Sequence, residues 1–370
     1  MSLHRTFVVA HPRDEVFAWH ARPGAVRRLM PLWMPFRIVD EAASLADGTA
    51  VFALPGGLRW VARHDPDAYD PPSRFVDEVS RGGVRSLPTS VMPWRHTHRF
   101  EALDDGHTRL IDDIDAPLPA TALLPALAYR HQQLADDLDA RARWADLAEP
   151  PTTVTIAAAD PTSAVAAMLR AHLTTSGVEV VDDPLDAVAS GRPDVAVVVL
   201  GEPGRLSDLV TAAEASPGVR VIVSVSRGGS HAVSTLPSGS TRRVRLQTGW
   251  VVTDGPPPRV SGKGVLPWID LDDLLDVVVR AIGDPHLSGD VVAAAPAPAS
   301  GDEIEAVIRS SAAGLRRLGG LDPRRQRESP WDPAGTRPTE LLDAGHRFRR
   351  PFLADAVAYQ TGALGDTDSG

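Results

Sequence analysis

The segment WRHTHRF, residues 94–100, places two histidines two residues apart among aromatic side chains. In an extended strand Trp94, His96, His98 and Phe100 share one face, and Arg95, Thr97 and Arg99 share the other. LRWVARHD repeats the pattern, with Trp60, Ala62 and His64 on one face. Imidazole beside indole, with a carboxylate in reach, can orient an aromatic molecule and move a proton. Asp112 and Asp113 in TRLIDDID supply carboxylates, and Tyr129, Arg130 and His131 in a long helical stretch supply further polar tips. The candidate ligand-binding set is Trp60, His64, Trp94, His96, His98, Asp112, Tyr129 and His131, with no catalytic residue assigned. His-x-His is also a metal-ligand spacing, but the one further histidine nearby is His107, beyond a turn, so no metal is expected. The plainer alternative is that His96 and His98 pack or face solvent, and that Trp60 and Trp94 fill a core.

The elements that must position these residues are legible from patterning. HRTFVVAH reads as an alternating strand, and PRDEVFAWHA and PGAVRRLM as two short helices. FRIVDEA, TAVFAL, LRWVARHD, RFVDEVS, WRHTHRFEAL and TRLIDDID then read as short strands separated by Gly, Pro and Asp turns. ALLPALAYRHQQLADDLDARARW is a long helix with Leu127, His131, Leu134 and Leu138 at helical spacing. A sheet wrapped on such a helix is an α+β plan that leaves a cavity between the two layers.

After ADLAEPPTT, a linker around Pro150 and Pro151, strand and helix patterns alternate, as in a parallel α/β sheet. VTIAA, VEVV, PDVAVVVLG, VRVIVSVS and RRVRLQTGWVV read as strands. TSAVAAMLRAHL, LSDLVTAAEAS and LDDLLDVVVRAI read as helices, the last capped by Asp270. GGLDPRRQRESPWDPAG reads as an irregular surface segment, with RRQR and RRVR as solvated charge.

Composition excludes several classes. The 370 residues carry a net charge of -10 with no dense basic block, which argues against nucleic acid and a membrane surface as partners. The absence of cysteine excludes disulfides, thiolate catalysis and Cys-zinc sites. No apolar run spans a bilayer, and MSLHRTFVVAHPRDEVF meets charge too early for a signal peptide, so cytoplasm is the expectation.

Two resemblances follow. FVVAHPRDEVFAWHARPGAVRRLMPLW and WRHTHRF resemble a START-like (polyketide cyclase, helix-grip) domain, placed at 1–148. RRVRLQTGWVV, LPWIDLDDLLDVVVRAI and LSGDVVAAAPAPASGDEI resemble the second half of an NAD-dependent epimerase/dehydratase of the extended short-chain dehydrogenase superfamily, placed at 152–370. ELLDAGHRFRRPFLADAV, at about 339–357, resembles its C-terminal motif. The implied fold class is an α+β helix-grip (START-like) domain followed by a truncated α/β Rossmann-like parallel-sheet domain. The first part is then implied to hold apolar or aromatic molecules in a cavity between sheet and helix, and a few such domains direct polyketide cyclisation.

The second resemblance fails at its catalytic core. The family's three glycine positions fall at Asp160, Ser163 and Ala166, and Asp160 puts a negative charge where a pyrophosphate would bind. Asp160 or Thr162 reads instead as a helix cap, and Asp182 and Asp183, where an acid would contact a ribose, as a polar turn. The family's Tyr and Lys, four residues apart on one helix face, have no counterpart. The tyrosines are Tyr69, Tyr129 and Tyr359, and none stands four residues before Lys263, the only lysine. Ser224 and Ser226 fall where the family's serine would be. The reading is a small-molecule binder or cyclase-like protein acting through the first part, with no cofactor. The alternatives are an NAD(P)-dependent epimerase or oxidoreductase with an unusual cofactor loop, and a non-catalytic scaffold. A homodimer stays open.

Overall fold

The computed structural model describes residues 2–80, 93–201, 206–227, 241–253, 259–260, 264–310, 327–328 and 336–363. Chain contacts divide the protein into two compact units, one built mainly from Met1–Asp139 and the other mainly from Ala140–Leu173 and Gly177–Ala363.

In the first unit seven strands form one antiparallel sheet: β1 (Ser2–Val9), β2 (Arg37–Asp40), β3 (Thr49–Ala53), β4 (Arg59–His64), β5 (Arg74–Val79), β6 (Arg95–Ala102) and β7 (Thr108–Asp115). Their order is β1-β7-β6-β5-β4-β3-β2, so the chain meanders from β2 to β7 and closes against β1. Two short helices, α1 (Arg13–His20) and α2 (Ala25–Leu29), follow β1, and the 25-residue α3 (Ala120–Trp144) follows β7. This is a helix-grip-like arrangement. Alternation decides which side chains meet the helices. His96, His98 and Phe100 of β6 are buried, as are Leu110, Asp112 and Ile114 of β7 and Phe75 of β5. The main core gathers α1 and the C-terminal half of α3 over β5–β7: Val16, Phe17, Trp19, Phe75, Phe100, Leu110, Leu134 and Leu138. Arg28 of α2 and Asp137 of α3, both fully buried, form a bidentate pair at 2.7 Å for each bond. That pair ties α2 to α3.

In the second unit β8 (Thr153–Ala158), β9 (Glu179–Val181), β10 (Val195–Leu200), β11 (Val219–Arg227), β12 (Arg242–Thr248) and the strand Gly289–Ala293 form a wholly parallel sheet. The order is β9-β8-β10-β11-β12 followed by Gly289–Ala293, a Rossmann-like topology whose strand order reverses between β8 and β10. The helices α4 (Ala164–Thr175), α5 (Pro184–Ala189), α6 (Ser207–Ala215) and α7 (Leu271–Gly283) connect or flank these strands. β10 is buried at every residue, as its continuous apolar run requires of a central parallel strand.

Patterning missed some details here. RRVRLQTGWVV is two strands, not one: β12 ends at Thr248, and Trp250–Val252 pairs instead with Trp268–Asp270. Helix α5 and the strand Gly289–Ala293 were not read at all. They are short, and α5 carries just two buried residues, Ala187 and Val188, too few for a periodic signal. Of GGLDPRRQRESPWDPAG, Arg327–Glu328 is described, and it pairs in parallel with Arg259–Val260. The rest of that segment, Lys263 and residues 228–240 lie outside the described residues. Among the described residues no helix is long and apolar enough to cross a membrane.

Candidate functional site

Between the sheet and the helices of the first unit lies a cavity of about 420 Å³. Its walls are mostly apolar. Val26, Leu29 and Met30 come from α2 and its end, Ala50 and Phe52 from β3, Trp60 and Ala62 from β4, and Leu123, Ala126 and Leu127 from the N-terminal half of α3. Five of the eight expected ligand-binding residues, Trp60, His64, Trp94, His96 and His98, line it. Three do not. Asp112 lies behind the histidines, His131 reaches Asp112 while stacking on Phe7 at 5.0 Å, and Tyr129 is buried away from the lumen. The helical period explains the placement of the two helix residues. Ala126, Leu127 and Arg130 sit on the cavity face of α3, and Tyr129 and His131 fall on either side of that stripe. Asp113, one residue beyond Asp112, points to the opposite sheet face and pairs with His4 and Arg99.

One wall of the cavity is a connected polar cluster. Strand register sets Phe75 opposite His98 and Asp77 opposite His96, and on the other side His98 opposite Asp112. Both imidazoles are therefore held between two carboxylates. His96 Nε2 is 2.8 Å and His98 Nδ1 2.9 Å from the same Asp112 oxygen. Their other nitrogens face Asp77 Oδ2, His98 Nε2 at 3.2 Å and His96 Nδ1 at 3.7 Å. The remaining carboxylate oxygens are also occupied: Trp94 Nε1 donates to Asp77 Oδ1 at 2.8 Å, and His131 Nε2 lies 2.6 Å from Asp112 Oδ2.

Burial and charge act against each other here. Burial alone would raise Asp77 and Asp112. The hydrogen bond from His98 at Asp77, and those from His131 and His96 at Asp112, hold both well below the ordinary carboxylate range. Burial and the neighbouring His98 lower His96. At His98 burial is outweighed by Asp112 and Asp77, which raise it. His20, whose ring centre is 6.5 Å from that of His98, is driven by burial down to about 3. Its Nδ1 bonds the Val16 carbonyl at 2.8 Å, as a neutral imidazole N–H does.

Sequence reasoning did not single out His20 or Asp77, and noted Arg130 without placing it in the site. His20 ends α1, and helix packing, not its local sequence, brings it to within 6.5 Å of His98. Asp77 was available in RFVDEVS, at the inward period of β5 two residues after Phe75, but the register that brings it to His96 is not written locally. His64, though in the wall, turns Nδ1 to the Ser44 carbonyl at 2.6 Å. His107 is exposed and bonds Asp104 at 2.9 Å, far from any role as a partner of the His-x-His pair.

In the second unit the loop after β8 has its own internal partners. Asp160 Oδ1 accepts from Thr162 N at 2.9 Å and from Thr162 Oγ1 at 2.6 Å, closing a tight turn. The helix cap is Ser163, not Asp160 or Thr162, with Ala166 N donating to Ser163 Oγ at 3.3 Å one residue before α4 begins. Ala166 is buried. Asp182 pairs with Arg170 at 2.6 Å on the surface, and Asp183 caps α5 through Leu185 N and Asp186 N. Ser224 and Ser226 lie in β11 opposite Arg245 and Gln247 of β12.

No protein-family model matches the chain, and no curated protein matches it by sequence. Solved structures do match. A nucleoside-diphosphate sugar epimerase from Corynebacterium glutamicum is 26% identical with a TM-score of 0.79, and the match covers 99% of this chain and 91% of that one. A human epimerase family protein solved with NADPH is 18% identical, with a TM-score of 0.43 over 58% of this chain and 100% of that one. An aromatase/cyclase from a Streptomyces species is 15% identical, with a TM-score of 0.30 over 39% of this chain and 97% of that one. The chain is thus similar to a sugar epimerase over nearly its whole length.

Proposed function

We propose that the first unit binds an apolar, aromatic, polyketide-like small molecule in the cavity between sheet and α3. The observation that carries this reading is the shape of the polarity. A cavity of about 420 Å³ lies within the range of small-molecule sites, and apolar walls with a few grouped polar atoms are what an oriented aromatic ligand needs. Trp60 and Trp94, edge to face at 5.3 Å, offer ring surface. Arg130 lines the cavity and makes no hydrogen bond or ion pair with any described residue, so its guanidinium is available to a phenolic or carbonyl oxygen. Imidazoles at the same wall suit proton transfer from an acidic C–H of such a molecule, the step cyclase-like chemistry requires.

The second unit, in this reading, has lost dehydrogenase chemistry. Asp160 closes its own turn where a phosphate loop is needed, and the sequence holds no Tyr/Lys pair. The likeness to the Corynebacterium epimerase favours the other reading, nucleotide-sugar chemistry in this unit.

Titrating the full chain with a hydroxylated naphthalene, followed by quenching of tryptophan fluorescence, tests the cavity. Saturable quenching that weakens in Arg130→Ala is expected. Quenching that is linear, or the same in Arg130→Ala, would overturn the reading.

A further inference from the structure

The polar wall contains a geometry that ligand orientation does not require. Asp77 Oδ2, His96 Nδ1 and His98 Nε2 converge, with all three atoms within 4.8 Å of one another. Two of the separations are 3.2 and 3.7 Å. A divalent metal bound at about 2.0–2.2 Å to each of three such ligands needs them roughly 3–3.7 Å apart. The side chains are already packed, with His96 and His98 almost wholly buried and Asp77 mostly so. We propose that Asp77, His96 and His98 form a binding site for a divalent first-row transition metal, of the two-histidine, one-carboxylate type, at the wall of the cavity.

The second observation is the outer layer. Metal-bound histidines characteristically donate their other N–H to a carboxylate, which fixes the tautomer and aims the free nitrogen. Here one Asp112 oxygen takes the opposite nitrogens of both histidines, at 2.8 and 2.9 Å. His131 holds the second Asp112 oxygen, and Trp94 holds the Asp77 oxygen that faces away from the histidines. Every ligand is therefore oriented by a partner that a metal leaves undisturbed. A simple hydrogen-bonded cluster has no need for the two inner nitrogens to meet a single carboxylate oxygen. All three ligands line the cavity, so the coordination positions they leave open face the space where an organic ligand would lie. Mixed imidazole and carboxylate donors suit zinc, cobalt(II) or iron(II) rather than calcium or magnesium. The site goes beyond the binding reading and does not depend on it, since the cavity can hold an aromatic molecule with or without a metal.

The test uses the full chain, stripped with a chelator and titrated with Co²⁺ while its visible absorption is followed. The expected result is one tightly bound Co²⁺ per chain, with the absorption of a low-coordinate site, displaced by Zn²⁺. Asp77→Asn and His98→Gln should each abolish that band. Asp112→Asn, which removes an orienting partner only, should weaken binding by roughly 10–100-fold. His107→Gln should change nothing. Absence of the band in the wild type, or a band retained in Asp77→Asn, would overturn the proposal, and the wild-type titration decides even where a variant does not fold. Failure here with saturable naphthol binding leaves the ligand reading standing, and a bound metal in a protein that quenches no better than Arg130→Ala does the reverse.

Discussion

Trp94 has two contacts of different kind at the cavity wall. Its indole N–H holds Asp77, and its ring meets Trp60 edge to face. A tryptophan closed into a core costs about 3–5 kcal/mol when cut to alanine. Trp94 is half-buried beside a cavity, so Trp94→Ala should cost less than that in thermal or chemical unfolding, and a full core-sized loss would argue that the space is closed in solution. The Arg28–Asp137 pair should behave differently. It is fully buried, so Asp137→Asn leaves a guanidinium short of its countercharge and should cost about 3–5 kcal/mol. Replacing both partners together, Arg28→Met with Asp137→Leu, should recover most of that loss in denaturant unfolding. At this scale the sequence was informative wherever a strand period was enough. WRHTHRF gave the facing of His96 and His98 directly, whereas Asp77 and His20 reach the same wall through register and helix packing that no local window encodes.

At the scale of elements, the C-terminal motif is an ion-pair clamp on α7. Arg349 makes a bidentate pair with Asp276 at 2.7 and 2.9 Å, while His172 of α4 takes the same carboxylate at 2.9 Å. The Arg349 and Arg350 backbone amides donate to Asp273, and the Arg350 guanidinium lies 3.3 Å above the Tyr359 ring and reaches Asp270. Two aspartates one helical turn apart are pushed in opposite directions. Burial and Asp270 push Asp273 up, against the Arg349 and Arg350 amides. At Asp276 burial is overcome by Arg349 and His172, which hold it far below the usual carboxylate range. A depressed folded-state value means that the Asp276 contribution is complete above the unfolded carboxylate value of about 4 and is lost as pH falls below it. Asp276→Asn should therefore cost about 3–5 kcal/mol near neutrality, and the gap to wild type should narrow below pH ~4 in urea unfolding. A gap that stays constant from pH 7 to 3 would contradict the assignment. The motif was visible in the sequence as ELLDAGHRFRRPFLADAV, and LDDLLDVVVRAI showed the helix. That each arginine chooses its aspartate was not visible, because the partners are more than seventy residues apart.

At the scale of the molecule, the alternation of strand and helix and the α+β meander were both readable from periodicity. The split at Gly249 and the strand Gly289–Ala293 were not, since strands of three to five residues carry little pattern. With the β8 loop closed on itself, NADPH added to the full chain should produce no saturable fluorescence change and no protection in a thermal shift. Clear stabilisation, which binding at a hundred times the dissociation constant would set at about 2.7 kcal/mol, would restore the epimerase reading. Native mass spectrometry of the full chain, purified from its own host under mild conditions, tests whether the cavity of the first unit holds a ligand. The predicted result is a stoichiometric adduct of one aromatic small molecule that is lost on denaturation and absent or much reduced in Trp94→Ala. A chain of unmodified mass from every preparation, together with a core-sized stability loss in Trp94→Ala, would contradict it.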